Sequence, residues 1–427
     1  LNYRIIAPGQ PFFRVFRSGI LPPLAAPRGG GHERCMETLS QSPTDPAFVQ
    51  DPYPFYARAR AAGDLVWWAE YGMPAATTHR AVNAILRDRR FGREPPEGTP
   101  RPPVPDRLAP FHAVEAHSML EAEPPRHTRL RGLVLRAFTT ARVQALTPQI
   151  DALAAELIAA LPAGEVDLLD AFARPLPVTV IARLIGVPDS RGADLLAWSN
   201  AMVRMYQPGR SRADEDAAIA ATQAFTAFLG EVIAARRRAP GGDLLSQLIA
   251  VEAAGDRLSA EELVSTIILL LNAGHEATVH TIGNGVKALL ETGTAPALAA
   301  DPDRAVEEIL RFDPPLHVFT RIARAEVAAF GHRFAPGDQV ACLLASANRD
   351  PAAHTDPDRF EPSRAPAPHA SFGAGIHFCL GAPLARLELA RALPALFAAK
   401  PGLRLAAPPR YADIYHFRGL TRLAVTP

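Results

Sequence analysis

A mainly α-helical fold with small β-sheets is what this sequence predicts, on three observations. Long segments carry apolar residues at helical spacing, the clearest from Ser259 to Leu290. Period-two runs such as Leu65-Val66-Trp67-Trp68 are short and end at turn residues. The 42 prolines punctuate helices and form no repeat. At 427 residues and 48% apolar, the chain can bury a large core. A net charge of +1 gives no electrostatic case for nucleic acid. Three cysteines (Cys35, Cys342, Cys379) make no disulfide framework and suit a reducing compartment, the cytoplasm.

Residues 1–35 differ from the rest of the chain. They hold Pro8, Pro11, Pro22, Pro23, Pro27 and Gly29-Gly30-Gly31, and five arginines against one acid. We expect a flexible or expression-derived extension, with Met36 as the natural start and one domain over 36–427. Arg14 and Arg17 interrupt its apolar residues, and no stretch approaches the ~20 residues of a membrane helix. No membrane association is expected.

From Pro52 to Tyr56 a short helix begins. Leu65–Trp68 and Pro74–Thr77 read as strands around Tyr71-Gly72, and Thr78 to Arg87 as a helix. Residues 92–110, rich in proline and charge, read as a long loop. Glu123-Pro124-Pro125-Arg126-His127-Thr128-Arg129-Leu130-Arg131 opens a helix through Phe138. It sets His127 and Arg131 on one face, where two donors could hold a carboxylate. Residues 143–160 and 170–186 read as helices. Two more lie between Asp189 and Arg238, joined around Gln207-Pro208-Gly209-Arg210, and another starts at Asp243.

The central helix starts at Ser259, whose Ser-x-x-Glu pattern with Glu262 is a capping box, and stops at Gly293. About 32 residues at ~1.5 Å each would cross the whole molecule. In its middle, Ala273-Gly274-His275-Glu276-Ala277-Thr278 places an acid in apolar surroundings, which is costly unless the acid is hydrated or paired. Asp301-Pro302 opens a helix with the i,i+3 pair Glu308 and Arg311, and Asp313-Pro314-Pro315 ends it. Extended residues Leu316 to Arg321 come next. Short strands then run over Val327–Val340, and hairpins over about 403–426.

The motif richest in chemistry is Ser371-Phe372-Gly373-Ala374-Gly375-Ile376-His377-Phe378-Cys379-Leu380-Gly381-Ala382-Pro383. Its glycines permit a tight backbone, and Pro383 suits a first helical turn. Cys379 thus lies just ahead of a helix N-terminus, where free amides favour a thiolate, as an axial haem ligand requires.

Phe-Gly-x-Gly-x-His-x-Cys-x-Gly resembles the haem-ligand loop of the cytochrome P-450 family, the haem-thiolate monooxygenases. Three further motifs repeat the resemblance in the family's order, over about residues 40–427. It implies a single triangular domain around a buried haem b (iron protoporphyrin IX), with Cys379 on the iron. By the same resemblance His127, Arg131, Arg321 and His377 would hold the propionates, and Phe372, Gly373 and Gly381 would shape the haem-binding loop. Glu308 and Arg311 would be structural. Ala273, Val318, Phe319 and Phe417 would line the substrate pocket. Ala273-Gly274-His275-Glu276 resembles the family's proton-relay motif with one departure: Ala277 stands where an alcohol normally follows the acid. Either Thr278 substitutes through local distortion, or substrate and water supply the proton path. The implied activity is insertion of one oxygen atom of dioxygen into a C–H bond of a small hydrophobic substrate. Electrons would come from separate proteins, a ferredoxin and ferredoxin reductase or a flavodoxin-type donor. A peroxide-driven peroxygenase, another haem-thiolate biosynthetic oxidation and a non-enzymatic haem-binding sensor are the alternatives.

Overall fold

A computed structural model describes residues 36–100, 103–206, 210–253 and 257–427. The expected extension over 1–35 and the joint at Gln207–Gly209 lie outside these residues.

Helices dominate, as expected. The central helix, Ala260–Thr292, is capped by Ser259 and Glu262 in a reciprocal capping box and ended by Gly293 in the left-handed conformation (φ 66°). It stays α-helical through Ala273–Thr278, with no local break. Around it pack Pro175–Ile185, Gly192–Val203, Pro302–Phe312 and Ala382–Ala399. Their apolar faces merge into one core that includes Leu130, Phe172, Ile181, Ile267, Ile282, Ile309 and Leu389. Arg212–Arg238 is long and apolar enough to cross a membrane by composition. Here it buries Phe225, Leu229 and Ile233 and packs against Gly192–Val203, as a core helix of the domain does.

The small sheets stand to one side. A six-stranded mixed sheet runs in the order Thr38–Leu39, Leu65–Trp68, Met73–Ala76, Gln339–Leu343, Val318–Ala323, Phe91–Gly92. Its strand Val318–Ala323 pairs antiparallel with Gln339–Leu343, setting Phe319 opposite Cys342 and Arg321 opposite Val340. Near the C-terminus Arg410–Tyr411 pairs with Leu420–Arg422, and the loop between them carries Phe417.

Several boundaries differ from expectation, for one physical reason. The expected loop over 92–110 becomes helical from Asp106, and Ala109–Glu115 carries Pro110 in its first turn. The expected helix over 143–160 is two, Thr140–Gln144 and Thr147–Ala159, the second with Pro148 in its first turn. The one over 170–186 is a π-turn, Leu169–Ala173, followed by Pro175–Ile185. In each case a proline read as a breaker, or passed over within a helix, is a first-turn residue, where its missing N–H costs nothing.

Candidate active site

Cys379 lies between the 3₁₀ turn Gly375–His377 and the helix Ala382–Ala399. Gly373 (φ 68°) and Gly375 (φ 72°) supply the left-handed backbone that the loop needs. At Gly375 a Cβ would come within 2.3 Å of the Leu86 carbonyl oxygen, so only glycine lets the loop dock there. Gly381 has ordinary helical angles. Its contribution is its amide, which with that of Ala382 hydrogen-bonds Cys379 Sγ. Cys379 N–H donates to the Phe372 carbonyl at 2.9 Å, closing the loop, and the Phe372 ring lies under the Arg386 guanidinium at 4.7 Å.

The two described cysteines differ sharply. Cys342 is fully buried, and burial pushes its thiol up to about 12. Cys379 is exposed. Although the residue is exposed, the protein around it partly desolvates its thiol and raises it, while the amides of Gly381 and Ala382 and the cations Arg131 and Arg386 pull it down. The expected helix-end stabilisation is therefore present but smaller than the desolvation. A bound metal cation deprotonates such a thiol outright.

Beside the loop stands a cluster of basic side chains. Arg131 Nη2 donates to the Phe378 carbonyl at 2.7 Å. His127 is buried, with its ring 4.3 Å from that of His377. His377 Nε2 meets Glu123 Oε1 at 3.0 Å, and Glu123 also accepts from the Arg93 amide at 2.7 Å. Burial would raise the Glu123 carboxyl, but His377 and Arg93 hold it below the usual range. Burial pushes His127 down to about 4, with His377 and Arg131 adding to the effect. Arg321 is 1% exposed and has no carboxylate within ion-pair distance among the described residues. Its Nη1 donates to the Thr320 carbonyl at 3.0 Å. Burial and the neighbouring Arg93 push this guanidinium down to about 10. A buried cation in that position calls for an anion.

The expected pocket residues divide. Val318 and Phe319 are neighbours on one strand and project to opposite faces. Val318 packs against the aromatic-rich core cluster that contains Phe48, Trp68 and Tyr415. Phe319 shares its face with Arg321 and would be 3.2 Å from a Cβ at Gly373, against the cysteine loop. On the central helix Ala273 is exposed amid buried neighbours, and Glu276 and Ala277 are half-buried. Glu276 has no hydrogen-bond or ion-pair partner among the described residues, and burial pushes its carboxyl up to about 7. Thr278 is buried, and two residues from Glu276 the helix has turned about 200°. It shares its side with Gly274, whose Cβ would meet Ile181 at 3.0 Å. Phe417 lies edge-on to the His280 ring at 5.3 Å.

Glu308 and Arg311 form a buried two-point pair at 2.7 and 2.8 Å. Arg311 Nη1 also donates to the Asn348 carbonyl at 2.8 Å. Asn348 in turn donates to Ser371 Oγ at 2.7 Å and accepts from the Ala370 amide at 2.6 Å. The pair thus reaches the start of the cysteine loop through Asn348. Sequence reasoning gives no role to Arg93, Glu123, Asn348 or His280. Glu123 stands at the head of the stretch that carries His127 and Arg131, whereas Arg93 lies in a segment with no period.

A flat dianion with an iron at its centre fits these residues: an accessible sulfur that accepts backbone amides, and a buried guanidinium, Arg321, short of counter-charge. Haem-thiolate enzymes are the class with these needs. The family model for cytochrome P450 matches residues 303–398. Cytochrome P450 107B1 of Saccharopolyspora erythraea is 41% identical over 400 residues, covering 90% of this chain and 96% of that protein. 6-Deoxyerythronolide B hydroxylase of the same organism is 38% identical, covering 87% and 93%. Among solved structures, P450BioI in complex with an acyl carrier protein ligated to hexadec-9Z-enoic acid superposes with TM-score 0.81 at 34% identity, covering 89% of this chain and 99% of that one. The chain belongs to the cytochrome P450 family and is a haem-thiolate monooxygenase.

Proposed function

We propose that this enzyme hydroxylates a C–H bond of a small hydrophobic substrate over haem b, with electrons from a ferredoxin and its reductase or a flavodoxin-type donor, in the cytoplasm. The observation that carries this reading is the accessible Cys379 sulfur, which accepts two amides, together with the buried and unneutralised Arg321. Haem bound through a thiolate supplies dioxygen activation, because thiolate donation favours O–O cleavage.

The chain's own residues do the rest. Cys379 would hold the iron, with Phe372, Gly373 and Gly381 shaping its loop. Arg321, Arg131, His127 and His377 would hold the propionates, and Arg93 joins them because it faces Arg321 and His377. Ala273 and Ala277 give the central helix a flat wall, and Phe417 closes the far side. Glu276, with a carboxyl at about 7, can hold or release a proton near neutrality. Glu308 and Arg311 would fix the loop from behind.

The test is spectroscopic and then chemical. Cys379→Ser should lose the red-shifted Soret band of the reduced carbonyl complex, and a retained band would exclude ligation by Cys379. Product analysis with a ferredoxin system against hydrogen peroxide then separates dioxygen-driven hydroxylation from the peroxide-driven route that Ala277 favours.

A further inference from the structure

A buried acid stands among the basic side chains beside the cysteine loop. Glu123 is 3% exposed, and its contacts reach four separate segments of chain. Its Oε1 accepts from the Arg93 amide at 2.7 Å and meets His377 Nε2 at 3.0 Å. Its Oε2 lies 3.8 Å from Arg324 Nη1, and its backbone carbonyl accepts from the His127 amide at 2.9 Å. The carboxyl is held below the usual range, so it is ionised and has only acceptors to offer. His377 therefore donates from Nε2. The seat is close-fitting. A Cβ at Gly92 would lie 2.8 Å from Glu123 Oε1, so only glycine at the end of the strand Phe91–Gly92 leaves room for the acid. Glu121, which pairs with Arg93 at 3.2 Å, is by contrast exposed.

By charge alone an anion in this place is a handicap. The same cluster has to receive the two negative charges of the haem, and like charges repel. What Glu123 contributes is therefore geometric. We propose that Glu123 is a positioning residue for the charged edge of the haem. Through His377 it ties the cysteine loop to the strand end that carries Arg93 and to the helix turns that carry His127 and Arg131. The Cys379 sulfur and the propionate-binding side chains then stand at one fixed separation. The inference rests on the reading of those side chains as the propionate holders. Charge and geometry can be separated here, because the Arg93 amide and His377 both go to the same oxygen, Oε1. A glutamine with its carbonyl in that place accepts both bonds without the charge.

The test loads the parent, Glu123→Ala, Glu123→Gln and Gly92→Ala with haem or with haem dimethyl ester, whose esterified propionates carry no charge. Transfer to an apo-globin acceptor gives each release rate. The parent should hold haem about tenfold longer than the ester, because only haem uses the basic side chains. Glu123→Ala should release haem about tenfold faster than the parent, and the ester at an unchanged rate. Glu123→Gln should stay within about threefold of the parent for both ligands. Gly92→Ala keeps the acid but pushes it off its seat, so it should follow Glu123→Ala. It carries the same comparison if Glu123→Ala does not fold. Unchanged haem release in Glu123→Ala and Gly92→Ala would overturn the proposal. So would a loss that speeds haem and ester alike, which is what a merely structural role gives. Haem held tighter by Glu123→Gln, or lost from it as fast as from Glu123→Ala, would show that charge governs and position does not, and would also overturn it. Equal release of haem and ester from the parent would instead overturn the propionate reading itself, and this inference with it.

Discussion

Arg311→Ala should cost this protein about 3–5 kcal/mol, the usual result of removing one member of a buried pair. Arg311 is 2% exposed and makes five hydrogen bonds. Two go to Glu308, and three to the carbonyls of Asn348, Pro357 and Arg359, at 2.8, 2.8 and 3.3 Å. The Glu308 carboxylate would not be stranded, because the Glu361 amide at 2.8 Å and Arg364 Nε at 3.2 Å still reach it. The loss falls mainly on the Asn348 and Pro357 carbonyls, at about 1–3 kcal/mol each, because the Arg359 carbonyl keeps Arg364 Nη2 at 3.0 Å. Against a total stability of about 5–15 kcal/mol, that is a large share. Arg311→Lys keeps the charge but has no planar fork, so it should recover only part. Urea titration followed by far-ultraviolet circular dichroism, with an unchanged slope, measures the change. A shift below about 1 kcal/mol for Arg311→Ala would refute the reasoning, since that is the value of one ordinary net hydrogen bond.

Arg321→Leu should speed haem loss about tenfold or more, because a propionate in that buried place loses its cation, and transfer to an apo-globin acceptor measures the rate. The Glu276 carboxyl sits at about 7 when folded against 4.5 ordinarily, so the folded state holds extra protons between those values. That stabilisation is complete below pH 4.5 and is lost as pH rises through 7. Glu276→Gln should therefore match the parent in urea stability at low pH and exceed it at pH 8 by about 2–3 kcal/mol. Gly419→Ala should destabilise by about 1–3 kcal/mol, since its Cβ would lie 1.9 Å from His280 Nδ1 and the loop or the ring must move.

The parts of this site that sequence shows are those fixed by local chemistry. The capping box at Ser259 and Glu262, the stop at Gly293 and the cap at Asp301 follow from neighbours a few residues apart, and all three form as read. The cysteine loop is legible for the same reason: its glycines, its first-turn proline and its sulfur lie within one short stretch. What sequence hides is set by distant partners. His377 meets Glu123 across 254 positions, and Asn348 joins Arg311 to Ser371 through contacts 37 and 23 positions away. Nothing local in Glu123 or Asn348 announces those meetings. The pocket expectation for Val318 and Phe319 is limited by strand geometry, which gives adjacent residues opposite faces. Thr278 is set about 200° round the helix from Glu276 by helix periodicity.

The cysteine loop and the Phe417 loop are registered to each other by one short stretch of chain. Glu308 and Arg311 lie in the helix Pro302–Phe312, and through Asn348 they fix the backbone at Ala370 and Ser371, just ahead of Phe372 and Gly373. Asp313, the next residue after that helix, pairs with Arg418 at 2.8 Å in a buried site, with Tyr53 and Tyr411 donating to the same carboxylate. Arg418 is flanked by Phe417 and Gly419, the two residues that hold the His280 ring. The central helix joins in directly, since Asn284 Nδ2 donates to the carbonyls of both Asp313 and Arg418 at 3.1 and 3.2 Å. A displacement at the end of Pro302–Phe312 must therefore move the sulfur-bearing loop and the Phe417 loop together. Interiors at crystal-like packing density have little slack in which to absorb it. This explains why the chain buries several charges at a helix end far from any reacting group: Glu308, Arg311, Asp313 and Arg418 are costly to desolvate, and directional bonds rather than apolar contacts are what hold two loops at fixed separation.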